Sequence, residues 1–228
     1  MSHYLYDLEK CALCGIDGAT GRIEDLYFED EDWNAKYLVV NVSGKFMHKR
    51  VLVPSSTICI SNPETSSLFV PMTRHRIVRF PNAKTDLPVS RQRKIVGRLR
   101  YGIEIYLAGE AILTDPEFIT DSIKVPLNSN GREFDPHLHS MADVTGLRVL
   151  LPDGIVGLVE DCIVDNSWNI MYLIVHLYDR VPQRTIILPA LWMNRIDYET
   201  SVITSDISSR EIEECPDCIS VSHLSKSV

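Results

Sequence analysis

The fold is decided by the stretch Asp17-Gly18-Ala19-Thr20-Gly21-Arg22-Ile23-Glu24-Asp25. It occurs a second time in the chain as Asp153-Gly154-Ile155-Val156-Gly157-Leu158-Val159-Glu160-Asp161. Trp33-Asn34 follows the first copy and Trp168-Asn169 follows the second. The offset is 136 residues before this turn and 135 after it, so the loop between the two parts is one residue shorter in the second copy. A repeat of this length indicates two copies of one domain rather than the short units of a solenoid.

The match continues to Pro81 and Pro216, which keep the offset of 135. We therefore predict a first domain over residues 1–80, a linker over 81–137, a second domain over 138–218 and a tail over 219–228. The positions that define the repeat are Gly18, Gly21, Glu24, Asp25, Trp33, Tyr37 and Pro54 in the first copy and Gly154, Gly157, Glu160, Asp161, Trp168, Tyr172 and Pro189 in the second.

Composition indicates an ordinary globular protein, with 45% hydrophobic and 24% charged residues among 228. No apolar run approaches the roughly 20 residues that cross a bilayer, and residues 1–4 lack the basic start and apolar core of a secretory signal. We therefore expect a cytoplasmic protein without an integral membrane segment. Its net charge of −8 argues against a general nucleic-acid binder.

The spacing of strand and turn signals predicts a mainly β fold. Asp-Gly dipeptides are typical of tight hairpins, and short strands at close spacing between such turns indicate a small barrel or sandwich rather than β-α-β units. Ser208 and Glu211 form a capping-box pattern for a short helix, and residues 73–79 take the same place in the first copy. The main strands are predicted at residues 8–14, 21–28, 33–42 and 49–54, and at 144–151, 155–164, 168–177, 184–188, 194–198 and 201–207. A helix is predicted within the linker at 91–99.

The repeated pattern resembles the PRC-barrel family, a small β-barrel also found in the photosynthetic reaction-centre H subunit and in the ribosome-maturation factor RimM. The resemblance rests on residues 21–26, 33–40 and 49–54 and on 157–162, 168–175 and 184–189, and it covers about two thirds of the chain. The linker and the helix-and-proline ending look like those of stand-alone bacterial tandem PRC-barrel proteins. Met171 departs from the pattern, because a basic residue is usual at that position.

The resemblance implies two small antiparallel PRC-type β-barrels in tandem, with short helices, a partly helical linker and no catalytic residues. It implies a protein-interaction or assembly module whose protein partner is unknown. The alternatives are a factor that associates with RNA or a ribosomal protein, as in RimM, and an accessory of photosynthetic electron transfer, as in the H subunit. Two copies of this size are only marginally stable alone, so a homodimer is a further hypothesis.

The Glu24-Asp25 and Glu160-Asp161 pairs invite an acid–base interpretation. Neighbouring side chains on a strand point to opposite faces, so the two carboxylates of a pair do not share one site. We expect one carboxylate to accept from backbone amides or a loop, and the other to face solvent or a basic residue such as Lys36. The sequence contains neither a phosphate-binding glycine loop nor a nucleophile elbow. We therefore do not predict an enzyme.

The cysteines leave three alternatives open. Two Cys-x-x-Cys pairs can form a zinc site if the chain ends meet, and either pair can be a redox couple or ordinary core. Leu147 and Leu150 stand at the positions of the first pair in the second copy, which favours core. Cys59 and Cys162 are also predicted to be core. We expect no cofactor, with zinc as the lesser alternative at Cys11, Cys14, Cys215 and Cys218.

Two further groups are candidates for binding. His137, His139 and Asp143 have the residue types of a weak metal site, although we expect histidines in this polar stretch to be exposed. Residues 74–100 contain nine arginines and lysines and one acid, Asp86. This segment is either a solvated face that pairs with acidic turns or an anion-binding surface for RNA, a ribosomal protein or a membrane. The anion-binding candidates are Arg91, Arg93, Lys94 and Arg98.

Overall fold

The computed structural model describes residues 2–44, 47–60, 67–84, 86–92, 135–178 and 183–218. These residues form a mainly β structure, which confirms the predicted class. They build two seven-stranded sheets with the same strand order. No helix within the described ranges is long and apolar enough to cross a membrane.

The first copy supplies seven strands and two helices. Short 3-10 turns interrupt both copies, at Ser55–Thr57 and Ala190–Trp192. The elements of the first copy are β1 (Ser2–Tyr4), α1 (Leu5–Lys10), β2 (Ala12–Gly15), β3 (Gly18–Glu29), β4 (Asn34–Gly44), β5 (Met47–Pro54), β6 (Cys59–Ile60), β7 (Ser67–Phe69) and α2 (Arg74–Ile77).

The second copy repeats this series. Its elements are β8 (Leu138–Ser140), α3 (Met141–Val144), β9 (Arg148–Leu151), β10 (Gly154–Asp165), β11 (Ile170–Leu177), β12 (Arg184–Pro189), β13 (Met193–Asp197), β14 (Val202–Ser205) and α4 (Ser209–Glu213). The spatial order is β5-β4-β3-β2-β7-β6 in the first sheet and β12-β11-β10-β9-β14-β13 in the second. Among the strand pairs of the described residues, only β2–β7 and β9–β14 are parallel.

The two copies exchange their first strands. β1 pairs with β10 of the second sheet, and β8 pairs with β3 of the first. The registers are equivalent, because Tyr4 lies opposite Ile163 just as Ser140 lies opposite Tyr27. The start of each copy therefore completes the sheet of the other, across the domain boundaries placed at 80 and 138. Those boundaries remain predictions.

The repeated Trp-Asn dipeptides lie where the sheets meet. The Ala35 amide donates to the Trp168 carbonyl, and the Ile170 amide donates to the Trp33 carbonyl, both at 2.8 Å. The Asn34 side-chain amide donates to Asn169 Oδ1 at 2.8 Å. These reciprocal bonds give the two copies an approximate twofold relationship.

One apolar cluster runs through both copies, with Leu38 and Val40 from the first sheet and Leu173 and Val175 from the second. Each sheet therefore depends on the other for part of its core. Within the described ranges no ladder joins β5 to β6 or β12 to β13, and neither sheet closes into a barrel. A 3-10 turn stands at each gap, directly after a proline that cannot donate to a ladder.

Most predicted strands are confirmed, but residues 8–14 are not one strand. The helix α1 extends to Lys10, and β2 begins only at Ala12. Leu5 and Leu8, three residues apart, are its buried positions, a spacing that fits a helix face. The Ser208 capping box on α4 is confirmed, and α2 takes the same place in the first copy. Residues 89–92 begin a helical turn, and the rest of the predicted linker helix lies outside the described residues.

Candidate interaction site

The repeated glycines are required by the conformation and packing of the backbone. Gly18 and Gly154 have φ angles of 108° and 134° in their hairpin turns, a region that favours glycine. A Cβ atom on Gly21 would lie 2.5 Å from the Asn41 carbonyl oxygen, and one on Gly157 would be closer still to a facing carbonyl. The repeated glycines therefore permit the turn and the close approach of β3 to β4 and of β10 to β11.

The Asp25 carboxylate holds the start of α3. Its Oδ2 accepts from Ser140 Oγ at 2.6 Å, and its Oδ1 accepts from the amides of Leu26 at 2.8 Å and Ala142 at 3.1 Å. Burial raises the pKa of the Asp25 carboxyl, while these donors and the Arg91 guanidinium 4.0 Å away lower it in part. Asp25 thus joins the two copies, and the expectation that one carboxylate of the pair accepts from backbone amides is confirmed.

Glu24 has different partners from Asp25. Its Oε1 accepts from Asn41 Nδ2 at 2.6 Å, and its Oε2 lies 2.6 Å from Arg50 Nε. The predicted alternation of the two carboxylates is wrong, because a β-bulge shifts the register between Ile23 and Asp25. Asp25 lies opposite Val39, and Glu24 contacts Asn41, two residues along β4 and therefore on the same face. The two carboxylates still have different partners. Lys36, the partner suggested for a carboxylate of this pair, binds Glu29 and Asp135 instead.

Asp161 is the equivalent of Asp25 but is less completely hydrogen-bonded. Its Oδ1 accepts from the amides of Cys162 at 2.8 Å and Tyr6 at 3.3 Å. Its Oδ2 is buried and accepts no hydrogen bond in the part of the chain that the structure describes. Tyr4 occupies the position of Ser140, so the hydroxyl donor is missing. Burial raises the pKa of Asp161 to about 6, although the backbone amides of Cys162, Tyr6 and Leu5 lower it in part.

The histidine cluster forms a network around one carboxylate. Asp30 lies 3.0 Å from His137 Nδ1 and 3.1 Å from His139 Nε2. His139 Nδ1 is 2.9 Å from the Tyr198 hydroxyl, and its side chain is buried. The expectation of an exposed His139 is therefore wrong. Asp143 lies in a different contact, where it accepts from Ser90 Oγ at 2.5 Å.

The cysteine pairs occupy core and strand positions. Cys215 belongs to the main apolar cluster, and Cys218 packs against Ile163 and Ile174. Within the described ranges no three His, Cys, Asp or Glu side chains are arranged to hold a metal, so Cys11 and Cys14 do not meet the C-terminal pair in such a site.

Two other cysteines give opposite outcomes. The prediction that Cys162 is core is confirmed, because its side chain is buried. The prediction for Cys59 is wrong, because that side chain is exposed on the short strand β6.

The Arg91 side chain contacts two carboxylates and a tyrosine hydroxyl of the fold. Its guanidinium lies 3.8 Å from Asp143 and 4.0 Å from Asp25, and it donates to the Tyr27 hydroxyl at 3.2 Å. This geometry fits the interpretation in which the basic segment pairs with acidic groups. The other three anion-binding candidates, Arg93, Lys94 and Arg98, lie outside the described residues.

The second copy exposes large apolar side chains at one end of its sheet. Tyr172 lies opposite Pro189 in the β11–β12 ladder, and the 3-10 turn that follows Pro189 packs against β11. In that turn Leu191 is 71% exposed and Trp192 is 39% exposed. We call the exposed side chains here the aromatic surface: Met171, Tyr172, Leu191 and Trp192.

The same place in the first copy has a different character. The residues equivalent to Met171, Leu191 and Trp192 are polar. Tyr37, the equivalent of Tyr172, packs on a buried cluster that includes Tyr27 and Leu52. The equivalent residues in the first copy are Lys36, Tyr37, Ser56 and Thr57.

Sequence reasoning noted Met171 as a departure but did not find this surface. The signal was present in the repeat itself. Aligned at an offset of 135, the turn that reads Ser55-Ser56-Thr57 in the first copy reads Ala190-Leu191-Trp192 in the second. Because both turns follow a proline in the same fold, the apolar residues are not required by the turn.

No protein-family model matches the chain, and no curated protein sequence matches it.

Proposed function

We propose that this protein is a non-catalytic assembly module and that two copies of the chain associate through the aromatic surface. The observation that carries the proposal is the exposure of Leu191 and Trp192 in the second copy, at positions where the first copy has serine and threonine. Trp, Tyr and Met are enriched at protein interfaces, and tryptophan and tyrosine supply much of the binding energy there.

A second copy of the chain is the partner that this surface fits. Its four side chains are uncharged, so two such surfaces face each other without like-charge repulsion. A twofold contact needs one patch that is complementary to itself. Full burial of an exposed Leu side chain contributes about 1.5–3 kcal/mol.

The proposal includes membership of the PRC-barrel family, with each sheet as one PRC-type barrel. In support, the repeated signature residues occupy equivalent places in the two sheets. The carboxylates of the first pair are engaged with Ser140, Arg50 and backbone amides, which supports a structural and non-catalytic use. The ribosomal and photosynthetic roles remain predictions.

Sedimentation equilibrium tests the proposal. The double variant Leu191→Ser, Trp192→Thr installs the residues that the first copy already has in the same turn, so the fold should be retained. We expect the wild type to form a dimer at micromolar concentration and the double variant to remain a monomer. Ile16→Ser is the matched control, because Ile16 is a 64% exposed apolar residue between β2 and β3 of the first copy.

The control variant should dimerise like the wild type. A wild type that stays monomeric at high micromolar concentration would contradict the proposal. So would a double variant that dimerises as tightly as the wild type.

A further inference from the structure

A cleft on the first copy is lined by basic side chains. It has a volume of about 580 Å³ and lies between the end of α1, the β2–β3 hairpin and the start of α2. Volumes of roughly 300–1,000 Å³ are typical of sites for small molecules. The lining residues used below are Lys10, Thr20, Arg22, Glu24, Asn41 and Arg74.

The three cations reach the cleft from three different elements. Arg22 projects from β3 opposite Asn41 and forms no ion pair within the described ranges. Arg74 stands at the first position of α2, and its guanidinium contacts the Ala19 carbonyl at 3.5 Å. Lys10 ends α1, with its ammonium over the Tyr6 ring and 3.8 Å from Asp7.

The acidic groups near the cleft already have partners. Glu24 is the acid in its lining, and its carboxylate is matched by Arg50 and by the Asn41 side-chain amide. The Asp17 carboxylate accepts from the Arg74 backbone amide at 2.8 Å. Three cations and one acid line the cleft, so the charge of its lining is positive, although the chain as a whole carries −8.

The fold does not require these cations. In the second copy Gly146 stands at the position of Lys10, Leu158 at that of Arg22 and Ser209 at that of Arg74. The two copies form sheets with the same strand order, yet none of the three charged residues is present in the second copy. Arg148, at the position of Ala12, instead donates to the Thr200 carbonyl.

We propose that this cleft binds a small phosphate-bearing molecule, with Arg22 and Arg74 as the main ligands of the phosphate and Lys10 as a third cation. Guanidinium groups offer paired N–H donors that match the geometry of phosphate oxygens. Thr20 and Asn41 in the lining supply further polar groups for the rest of the molecule. This site is on the opposite copy from the aromatic surface and does not depend on the proposed dimer.

Titration calorimetry and amide NMR with inorganic pyrophosphate as the probe test this proposal. We expect saturable binding, with shifts of the amides at residues 19–22 and 74. Arg22→Leu and Arg74→Ser install the residues of the second copy, and each should weaken binding about tenfold or more, since a charged hydrogen bond is worth about 1.5–3 kcal/mol. Arg195→Ser, which removes an exposed charge from β13 in the second copy, is the matched control and should bind like the wild type.

Arg22→Gln keeps a polar side chain and removes only the charge, so it should fold and should also bind weakly. The double variant at Leu191 and Trp192 should retain full binding, which separates this test from that of the dimer. Absence of saturable binding by the wild type would overturn the proposal. Equal binding by the Arg22→Leu, Arg22→Gln and Arg195→Ser variants would overturn it as well, because the anion would then bind without the cleft.

Discussion

Asp25 and Asp161 have the same place in the two copies, yet their surroundings differ. Each carboxylate binds the start of a helix that the other copy contributes. Asp25 has a buried hydroxyl donor in Ser140 and a nearby guanidinium. At Asp161 the position of Ser140 is taken by Tyr4, and one carboxylate oxygen is buried without a donor among the described residues. Both copies keep the same fold, but Asp161 binds its helix less completely than Asp25 does.

The two copies also differ in their surfaces. The first copy carries the basic cleft, and the second carries the aromatic surface. In both cases the other copy forms the same fold with different residues at the equivalent positions. Residues found in both copies hold the sheets together, and residues found in one copy mark the candidate binding sites.

The largest expected effect comes from Asp25→Ala. This change leaves the buried Ser140 hydroxyl and the Ala142 amide without their acceptor. We expect the free energy of unfolding to fall by about 3 kcal/mol, measured by urea denaturation. Glu24→Ala is the control, because it removes the same charge from a partly exposed neighbouring position and should cost less than about 1 kcal/mol. Equal losses in the two variants would contradict this role of Asp25.

Asp161→Asn should change how stability depends on pH. The pKa of Asp161 is raised in the folded protein from 3.8 to about 6, so the folded state binds the proton more tightly than the unfolded state. The stabilisation from protonated Asp161 is complete below about pH 4 and is lost as the pH rises through about 6. The shift corresponds to about 3 kcal/mol.

Because Asn carries no charge, the variant should gain stability relative to the wild type over this pH range. Urea denaturation of both proteins from about pH 4 to about pH 7 measures the difference. Other carboxyl groups titrate in the same range, but their contribution cancels when the two proteins are compared. A difference that does not change with pH would contradict the assignment.

Tyr4→Ser should make the surroundings of Asp161 resemble those of Asp25. A hydroxyl at this position can donate to the open oxygen of Asp161, as Ser140 does to Asp25, and should lower the pKa of Asp161 by about one unit. NMR titration of the carboxyl carbon measures this pKa. Tyr4→Ala loses the same packing without adding a donor, so it is the matched control. Equal pKa values in the two variants would show that the missing hydroxyl is not the cause.

The smallest expected effect concerns the closing helices. The Ser208 side chain accepts from the Glu211 amide at the start of α4, whereas Thr73 makes no such bond at the start of α2. Ser208→Ala should therefore cost about 1 kcal/mol in thermal or urea unfolding. Thr73→Ala should cost little, and a larger loss at Thr73 than at Ser208 would reverse the comparison.

Much of the fold was predictable because the repeat fixes the strand pattern twice. The alternation over 33–42 and 168–177 and the prolines at 54 and 189 place β4, β5, β11 and β12 correctly. The first helix was missed because it has only six residues and because it is held by Asp161, which lies far away in sequence. The exchange of β1 and β8 is a tertiary pairing that no local pattern encodes.

The candidate sites were less predictable, because exposure and the meeting of distant side chains are not written in local spacing. Arg91 looked like part of an anion-binding segment, but Asp25 and Asp143 lie close enough to pair with it. Lys10, Arg22 and Arg74 are spread over 65 positions of the chain and meet only in the folded protein. Comparison of one copy with the other was the signal that could have found both surfaces.

Hydrogen–deuterium exchange at low and high protein concentration tests the central claim most directly. The claim is that the second copy carries the association surface and the first copy does not. We predict that the amides around residues 171–172 and 190–192 exchange more slowly at high protein concentration. The amides around 36–37 and 55–57 should exchange at the same rate at both concentrations. Equal protection of both turns, or protection of the first copy alone, would contradict the account.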